Sequence, residues 1–237
     1  MKQQLSNTHT WTVREVVLEA PLVYSLILES TGTRPHFISG QYLTVRLPGF
    51  EPAEGKSYSI SSTEEDEFVR LTIKEIGMFS KALIAHKEGD SLTTSSPYGF
   101  FYPEQTSDRD LVFIAGGIGI TPCMSIIETL AKEGYPRNVF LFYSNRTVAD
   151  TIFKDELQVL QNSFPRLFVT YHLTREPNPP LHYTSGRITG ESIVASLPTP
   201  HGSDYFVCGS IDFTKGIWGE LRKASIESAQ IYTEGYF

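Results

Sequence analysis

The pattern of apolar, polar and turn residues changes near residue 103, and this change constrains what the chain can fold into. Before it, short runs of β-prone residues alternate with glycine, proline and acidic turn residues. After residue 110, apolar strands alternate with amphipathic helices, which is typical of a parallel sheet covered on both faces. The pattern predicts two domains, residues 1–103 and 110–237, with the boundary in the polar stretch Tyr102–Asp110.

In the first domain we expect an antiparallel six-stranded β-barrel with one short helix around Lys81–His86. The predicted strands are Trp11–Glu19, Val23–Ser30, Tyr42–Leu47, Lys56–Ser61, Phe68–Glu75 and Ser91–Ser95.

The alternation in the second domain predicts an α/β fold with a parallel five-stranded sheet. Ligands of such a sheet bind at the carboxyl ends of its strands. Thr121 is predicted as the N-cap of its first helix, and Gly134 lies just past the end of that helix. The predicted strands are Leu111–Ala115, Val139–Ser144, Leu167–His172, Tyr205–Cys208 and Gln230–Thr233. The predicted helices are Pro122–Lys132, Asp150–Gln161, Glu191–Leu197 and Asp212–Ala224.

Charge and cysteine content exclude several classes of protein. The net charge of −7 argues against a nucleic-acid surface. The two cysteines, Cys123 and Cys208, are too few for a disulfide framework or for the four protein ligands of an iron–sulfur cluster. The first residues lack an apolar signal core, and the apolar runs are too short to span a bilayer. We therefore expect a cytoplasmic monomer that binds no metal and no nucleic acid.

A glycine-rich turn follows the first strand of the second domain. Its glycines let the backbone turn sharply and approach a ligand closely, and the following helix begins with amide groups that favour an anion. A dinucleotide pyrophosphate is the natural occupant, although on its own the turn equally fits a packing turn between strand and helix. The candidate residues are Gly116, Gly117, Gly119, Ile120, Thr121 and Pro122.

Two segments of the first domain could hold a second flat, phosphorylated ligand. In Lys56–Ser59, the lysine could neutralise a phosphate, Tyr58 could stack on a ring, and Ser59 could hydrogen-bond a ring nitrogen. Gly77–Ser80 precedes the short helix and offers a second helix N-terminus to a pyrophosphate. Taken alone, each segment also fits an ordinary strand or a helix cap.

Six motifs in order resemble the ferredoxin–NADP(+) reductase superfamily over nearly the whole chain. On the FAD side, the family's Arg-x-Tyr-Ser/Thr motif corresponds to Lys56–Ser59, its Gly-x-x-Ser motif to Gly77–Ser80, and its Gly-Asp with Pro-x-Gly-x-Phe to Gly89-Asp90 with Pro97–Phe101. On the nicotinamide side, Gly-Gly-x-Gly-x-Thr-Pro corresponds to Gly116–Pro122 and Cys-Gly-Pro to Cys208–Ser210. The acidic-aromatic tail corresponds to Glu234–Phe237. Two positions depart from the family pattern. Lys56 replaces Arg and loses its bidentate fork, which weakens the case for tight FAD binding, and Ser210 replaces Pro.

The resemblance implies an FAD site on the barrel and an NAD(P)H site on the parallel sheet, with the two reacting rings meeting between the domains. It makes Ser59, Cys208 and Glu234 the catalytic candidates: Ser59 near the flavin N5, Cys208 near the reacting nicotinamide carbon, and Glu234 as a proton relay. The implied FAD-binding residues are Lys56, Ser57, Tyr58, Ser59, Thr72, Ile73, Lys74, Gly77, Met78, Phe79, Ser80, Tyr236 and Phe237. The implied NAD(P)-binding residues are Gly116, Gly117, Gly119, Ile120, Thr121, Pro122, Ser144, Asn145, Arg146, Arg175, Cys208 and Gly209.

Plainer interpretations stay open for some of these residues. Either Tyr236 or Phe237 would cover the second flavin face, but a terminal aromatic can also be a packed or frayed tail. Cys208 could be a buried structural cysteine, and we interpret Cys123 as part of the core.

Coenzyme preference depends on the end of the second parallel strand, where an arginine suits the 2′-phosphate of NADPH. Arg146 follows Ser144 and Asn145 there, and Arg175 and Arg187 could assist it. The alternative is that Arg146 pairs with Asp150 at a helix start. We expect NADPH, with NADH as the alternative.

Three functions are compatible with these residues. The first is a flavin-dependent NAD(P)H oxidoreductase that passes electrons to a separate acceptor such as ferredoxin, flavodoxin, a cytochrome or an oxygenase component. The second is a regulatory electron-transfer subunit of a larger enzyme complex, although such relatives usually carry a cysteine-rich metal segment and this chain has two cysteines. The third is a nucleotide-binding protein without redox activity.

Overall fold

The computed structural model describes residues 8–104 and 107–236, which divide into two compact units. The first unit contains the described residues up to Tyr102 together with Met124–Thr129. The second contains the chain from Pro103 to Cys123 and from Leu130 onward.

The first unit is built on an antiparallel sheet in the order β4-β3-β6-β1-β2-β5. Its elements are β1 (Thr8–Ala20), β2 (Val23–Ser30), β3 (Tyr42–Arg46), β4 (Lys56–Ser59), β5 (Val69–Lys74), α1 (Met78–Ile84) and β6 (Ser91–Ser95). Just after β4, Ile60 pairs with Leu71 of β5, so the two ends of the sheet meet and close it into a barrel. The predicted six-stranded antiparallel barrel is confirmed.

The interior of the barrel is filled by side chains that alternate along its strands. Trp11, Leu26, Leu43 and Leu71 have no exposed surface, as expected when every second residue of a strand faces the core. The indole nitrogen of Trp11 donates a hydrogen bond of 2.8 Å to the hydroxyl of Thr94, which satisfies the one polar atom of this buried ring.

The second unit is an α/β fold whose six strands are all parallel, in the order β10-β9-β8-β7-β11-β12. Its elements are β7 (Asp110–Gly116), α2 (Ile120–Glu133), β8 (Val139–Asn145), α3 (Lys154–Ser163), β9 (Leu167–Leu173), β10 (Tyr183–Ser185), α4 (Gly190–Ala195), β11 (Ser203–Ser210), α5 (Ile211–Lys223) and β12 (Ile231–Tyr236).

The prediction of five parallel strands is wrong, because β10 is a sixth. This strand has only three residues, Tyr183–Ser185, and pairs with the end of β9. A Tyr-Thr-Ser segment is neither long enough nor apolar enough to indicate a strand, so only its pairing in the folded chain defines it.

The start of α2 also differs from the prediction. The helix is capped by Gly119 rather than Thr121, because a 3₁₀ turn over Gly117–Gly119 continues directly into it. Thr121 lies inside the helix and its hydroxyl donates to the carbonyl of Ile118 at 3.0 Å. The other end agrees with the prediction: Gly134 adopts the left-handed conformation, with φ of +67°, and ends the helix.

The strand order of the second unit contains one reversal. The chain proceeds from β7 outward through β8, β9 and β10, and then returns to place β11 on the other side of β7. In open parallel sheets, ligands bind at the carboxyl ends of the two strands that flank such a switch point. Here those ends are Gly116 and Ser210.

None of the helices within residues 8–104 and 107–236 has the length and apolar character needed to cross a membrane. Over the same residues, no cluster of three metal-ligating side chains is found.

Candidate cofactor sites

On the barrel, Lys56 and the start of α1 are neighbours. The ammonium group of Lys56 lies 5.6 Å from the centre of the Phe79 ring, which belongs to the first turn of α1. The exposed ring of Phe50 packs edge-on against the same phenylalanine. The fold therefore brings together the two segments that the sequence marks as phosphate-binding, Lys56–Ser59 and Gly77–Ser80.

Tyr58 presents a flat, uncharged ring beside this cation. It is half-buried against the core of the barrel, and burial raises the pKa of its phenol to about 12. The phenol is thus neutral at physiological pH. Ser59 is buried at the end of β4 opposite Tyr42, whereas Ser57 is exposed and its hydroxyl lies 3.1 Å from that of Thr44.

The start of α1 is capped by its own Ser80. The Ser80 hydroxyl accepts the backbone N–H groups of Ile76 and Gly77, at 2.9 and 3.1 Å, and donates to the Gly77 carbonyl at 3.0 Å. The amide of Gly77, which is predicted to meet a pyrophosphate, is therefore already bonded to Ser80. Met78 is 83 % exposed, whereas Phe79 is buried.

Two of the three predicted residues on β5 have buried side chains. The Thr72 hydroxyl lies 2.7 Å from that of Ser25 and 2.9 Å from that of Ser61, and Ile73 has no exposed surface. Only Lys74 is partly exposed. Thr72 and Ile73 could therefore contact a ligand only through their backbone.

In the second unit, the structure explains why glycine is present at each of three positions of the β7–α2 turn and at Gly209 of β11. Gly117 adopts a positive φ of +53°, which L-residues rarely adopt. A Cβ on Gly119 would lie 2.2 Å from the carbonyl oxygen of Cys208. Cβ atoms on Gly116 and Gly209 would lie 2.9 and 2.6 Å from the ring of Phe213.

Phe213 is a site residue that sequence reasoning missed. The signal that points to Phe213 is indirect and comes from the glycines at 116 and 209. Neither has a positive φ that would require glycine, so the close packing of the Phe213 ring explains both. The residues that follow the turn, Ile120, Thr121 and Pro122, are buried, so the accessible part of this segment is Gly116–Ile118.

A second group of predicted residues meets at the carboxyl end of β11. Cys208 is buried and pairs with Glu234 of β12, whose carboxylate lies 3.3 Å from the Tyr236 hydroxyl. Burial raises the pKa of the Cys208 thiol well above its ordinary value. The charges of neighbouring Cys123 and Glu234 raise this pKa further, and a hydrogen bond from Tyr236 opposes them. Phe237, the other predicted stacking residue, lies outside the described residues.

Cys123 is buried in the first turns of α2, and burial likewise raises the pKa of its thiol, with Glu234 adding to the effect. Both thiols are therefore protonated at neutral pH. Because thiolates rather than thiols react as nucleophiles, neither cysteine is activated for attack.

Three exposed arginines follow three adjacent strands of the same sheet edge. Arg146 follows β8 and Arg175 follows β9, and the backbone N–H of Arg175 donates to the Arg146 carbonyl at 2.8 Å. Arg187 follows β10. The Asp150 carboxylate accepts bonds from the backbone and hydroxyl of Thr147 at 3.0 and 2.7 Å. The fold thus gathers Arg146 and Arg175 beside Ser144, which is half-buried, and Asn145, which is buried.

Comparison with known proteins agrees with these two sites. Residues 11–102 match the family model described as the oxidoreductase FAD-binding domain, and residues 113–218 match that of the oxidoreductase NAD-binding domain. The chain belongs to the ferredoxin–NADP(+) reductase superfamily. It is an oxidoreductase that binds FAD and a nicotinamide dinucleotide, as the sequence motifs predicted.

Named relatives extend the comparison. The flavohemoprotein of Deinococcus radiodurans is 28 % identical over 235 residues, which covers 94 % of this chain and 58 % of that protein. The chain therefore spans less than two thirds of this relative.

Two solved structures share the fold. The flavohem-like FAD/NAD binding domain of nitric oxide dioxygenase from Vibrio cholerae O1 biovar El Tor has a TM-score of 0.87 at 23 % identity, covering 96 % of this chain and 98 % of that one. A ferredoxin NADP+ reductase from Neisseria gonorrhoeae with bound FAD and NADP has a TM-score of 0.84 at 22 % identity, covering 98 % and 100 %.

Proposed function

We propose that this protein is an NADPH-preferring, FAD-dependent reductase that hands electrons to a separate acceptor. The observation that supports the proposal is the backbone hydrogen bond between Arg175 and Arg146, two exposed residues that follow adjacent strands at the carboxyl edge of the NAD-binding sheet. FAD, when bound, would supply the redox chemistry that links hydride uptake from a nicotinamide to electron release to an acceptor.

The barrel residues fit a flavin dinucleotide. Lys56 supplies a positive charge for a phosphate next to Phe79, and it acts as a point charge where an arginine would form a bidentate fork. Tyr58 offers an uncharged aromatic face, because burial keeps its phenol protonated. We assign these two residues to the flavin, with Ser59 beside them at the end of β4.

The switch-point residues fit the pyrophosphate of a nicotinamide dinucleotide. The 3₁₀ turn Gly117–Gly119 leads into the 14-residue helix α2, and the N-cap of this turn, Gly116, has no side chain to occupy its first amides. The Thr121 hydroxyl donates to a carbonyl and so takes none of them. A helix start of this kind favours an anion through its amides and its dipole. We assign the pyrophosphate to the partly exposed segment Gly116–Ile118.

The residues at the end of β11 fit a site for the nicotinamide. A protonated Cys208 brings no negative charge to that position and does not attack as a nucleophile. The Tyr236 hydroxyl, on the neighbouring strand, hydrogen-bonds the thiol and lies 3.3 Å from the Glu234 carboxylate. We propose that Cys208 contacts the reacting end of the coenzyme and that Glu234 supplies the local proton acceptor.

Arg146 and Arg175 carry the preference for NADPH. A guanidinium group binds a phosphate through two parallel hydrogen bonds, and two adjacent groups neutralise most of the charge of a 2′-phosphate. Arg187 follows the next strand and adds to the same positive edge. NADH lacks this phosphate and gains nothing from these residues.

The acceptor is a separate protein or domain. Relatives such as the flavohemoprotein of Deinococcus radiodurans are longer than this chain, which covers 58 % of that protein. Within the described residues no cluster of metal-ligating side chains offers an internal acceptor. We propose a ferredoxin, a flavodoxin or a haem protein as the class of acceptor.

Anaerobic stopped-flow spectroscopy tests the coenzyme preference. We expect NADPH to bleach the flavin absorbance of the purified protein at least 10-fold faster than NADH at equal, subsaturating concentrations. The double variant Arg146→Ala/Arg175→Ala should lose most of this ratio through a higher KM for NADPH, since each phosphate contact contributes about 1–2 kcal/mol.

Arg166→Ala is the matched control, because Arg166 is also exposed but precedes β9 at the opposite edge of the sheet. It should leave the NADPH/NADH ratio unchanged. Equal rates with the two coenzymes in the unmodified protein would refute the NADPH assignment, and a protein that takes up no FAD would refute the reductase itself.

A further inference from the structure

The backbone of Cys208 and Gly209 is held from two sides at the switch point. On one side is Gly119, at the start of α2, where a Cβ would lie 2.2 Å from the Cys208 carbonyl oxygen and 2.7 Å from the Gly209 nitrogen. On the other side is the ring of Phe213, which packs so closely on Gly209 that a Cβ there would lie 2.6 Å from a ring carbon. The segment that carries the thiol is thus confined between a helix start and an aromatic ring.

The same ring also contacts the neighbouring strand. A Cβ on Gly116, the last residue of β7, would meet three ring atoms of Phe213 at 2.9–3.0 Å. Phe213 therefore bridges the last residues of β7 and β11, the two strands that flank the reversal in strand order. One side chain sets the spacing between the phosphate-binding turn and Cys208.

The position of the ring is itself well determined. Phe213 lies in the first turn of α5, and its backbone N–H donates to the N-cap hydroxyl of Ser210 at 3.3 Å. Its ring packs against the apolar core below the sheet but remains partly exposed. Core packing alone does not account for the position of this ring at the sheet edge, against two residues that are both glycine.

We propose that Phe213 is a positioning residue that fixes the Cys208 thiol and the glycine turn relative to each other, and thereby the nicotinamide half of the coenzyme. This inference rests on the proposed function where it concerns the coenzyme. The clamp on Cys208 itself does not depend on that function, so the two can be tested separately.

The first experiment measures the clamp without any coenzyme. Purified holoprotein is treated with iodoacetamide under native conditions, and alkylation of Cys208 and Cys123 is followed separately by peptide mass spectrometry. In Phe213→Ala we expect alkylation of Cys208 to accelerate at least 10-fold relative to Cys123, because only Cys208 loses its confinement. Equal acceleration at both cysteines would mean that the ring supports global stability alone, and would overturn the proposal.

Ile217→Ala is the matched control, since Ile217 lies one turn further along α5, is buried in the same core and supplies none of the nearest atoms to either glycine. It should raise both alkylation rates in the same proportion. Gly209→Ala should also accelerate Cys208, because its new methyl group displaces the ring. Combined with Phe213→Ala it should add nothing, and full additivity of the two substitutions would contradict the contact.

The second experiment measures coenzyme binding by titration calorimetry with NADP⁺ on the oxidised holoprotein. We expect Phe213→Ala to weaken binding about 10-fold and to raise KM more than it lowers kcat, whereas Phe213→Leu should recover most of the affinity. Ile217→Ala should bind NADP⁺ like the unmodified protein. If the unmodified protein binds neither NADP⁺ nor NAD⁺, the proposed function fails while the alkylation result still stands. If it binds and Phe213→Ala binds equally well, the positioning role fails.

Discussion

Two helices of this molecule begin at a glycine that the sequence marks as phosphate-binding, and they begin in different ways. Helix α1 has seven residues, and Ser80 occupies the amides of Ile76 and Gly77. Helix α2 has 14 residues and a glycine N-cap, and its first hydroxyl, on Thr121, bonds a carbonyl. The Ser80 hydroxyl accepts the two amides that precede α1, whereas α2 continues from a 3₁₀ turn whose N-cap, Gly116, has no side chain.

The two glycines differ as much as the helices. Gly77 is extended, with φ of −164°, and a Cβ there would meet nothing within 4 Å. Gly119 touches the backbone of Cys208. A glycine in a phosphate-binding motif can therefore be a strict packing requirement in one unit of the protein and dispensable in the other.

The largest expected effect is that of Gly119→Ala. The new methyl group would lie 2.2 Å from a backbone carbonyl, and neither α2 nor β11 can move without disturbing the sheet. We expect a loss of about 3 kcal/mol or more in the free energy of unfolding, measured by urea denaturation followed by far-UV circular dichroism. A variant as stable as the unmodified protein would show that this contact tolerates displacement.

The next effect is a pH dependence of stability, to which the buried thiols of Cys123 and Cys208 contribute in the second unit. Burial raises the pKa of Cys123 and of Cys208 above the ordinary value of 9.0. Above about pH 9 the unfolded chain loses these protons while the folded chain keeps them, so stability falls as the pH rises. We expect a slope of up to about 1.4 kcal/mol per pH unit for each thiol.

Guanidinium denaturation between pH 9 and 10 measures this slope. Cys123→Ala should remove one of the two thiol contributions to this slope, whatever its stability at pH 7. An identical slope in the variant would argue that Cys123 titrates alike in the folded and unfolded chain.

A smaller effect is expected for Ser80→Ala, which removes the internal cap of α1. Loss of the acceptor for two backbone amides should lower the free energy of unfolding by about 1 kcal/mol. The control is Ser163→Ala at the exposed end of α3, where the hydroxyl only donates to carbonyls of its own helix. That control should change stability by less than about 0.5 kcal/mol. Urea midpoints compare the two variants.

The smallest effect is that of Gly77→Ala. Its extended backbone suits any residue, and the added methyl group meets open space, so we expect a change within about 0.5 kcal/mol. The flavin content after gel filtration is the second measurement. If Gly77→Ala retains FAD, the pyrophosphate does not require a residue without a side chain at this position. If it loses FAD without losing stability, the ligand itself requires the glycine.

Local sequence patterns determined most of the architecture. Alternating runs in the first half specify the strands of the barrel, because every second residue must face its interior. Apolar strands followed by amphipathic helices specify the parallel sheet, and Gly134 ends α2 because only glycine readily adopts the left-handed conformation found there. The motifs from Lys56 to the C-terminal tail were also sufficient for the family and its two cofactors.

Tertiary structure decided what depends on residues far apart in the chain. Strand β10 exists only because it pairs with β9, and the neighbourhood of Arg146 and Arg175 follows from the pairing of strand ends 29 positions apart. The reason for glycine at 116 and 209 is a ring on α5, which no local pattern around either glycine encodes. Propensity and periodicity are properties of neighbouring residues, whereas close packing between elements is defined only once the chain has folded.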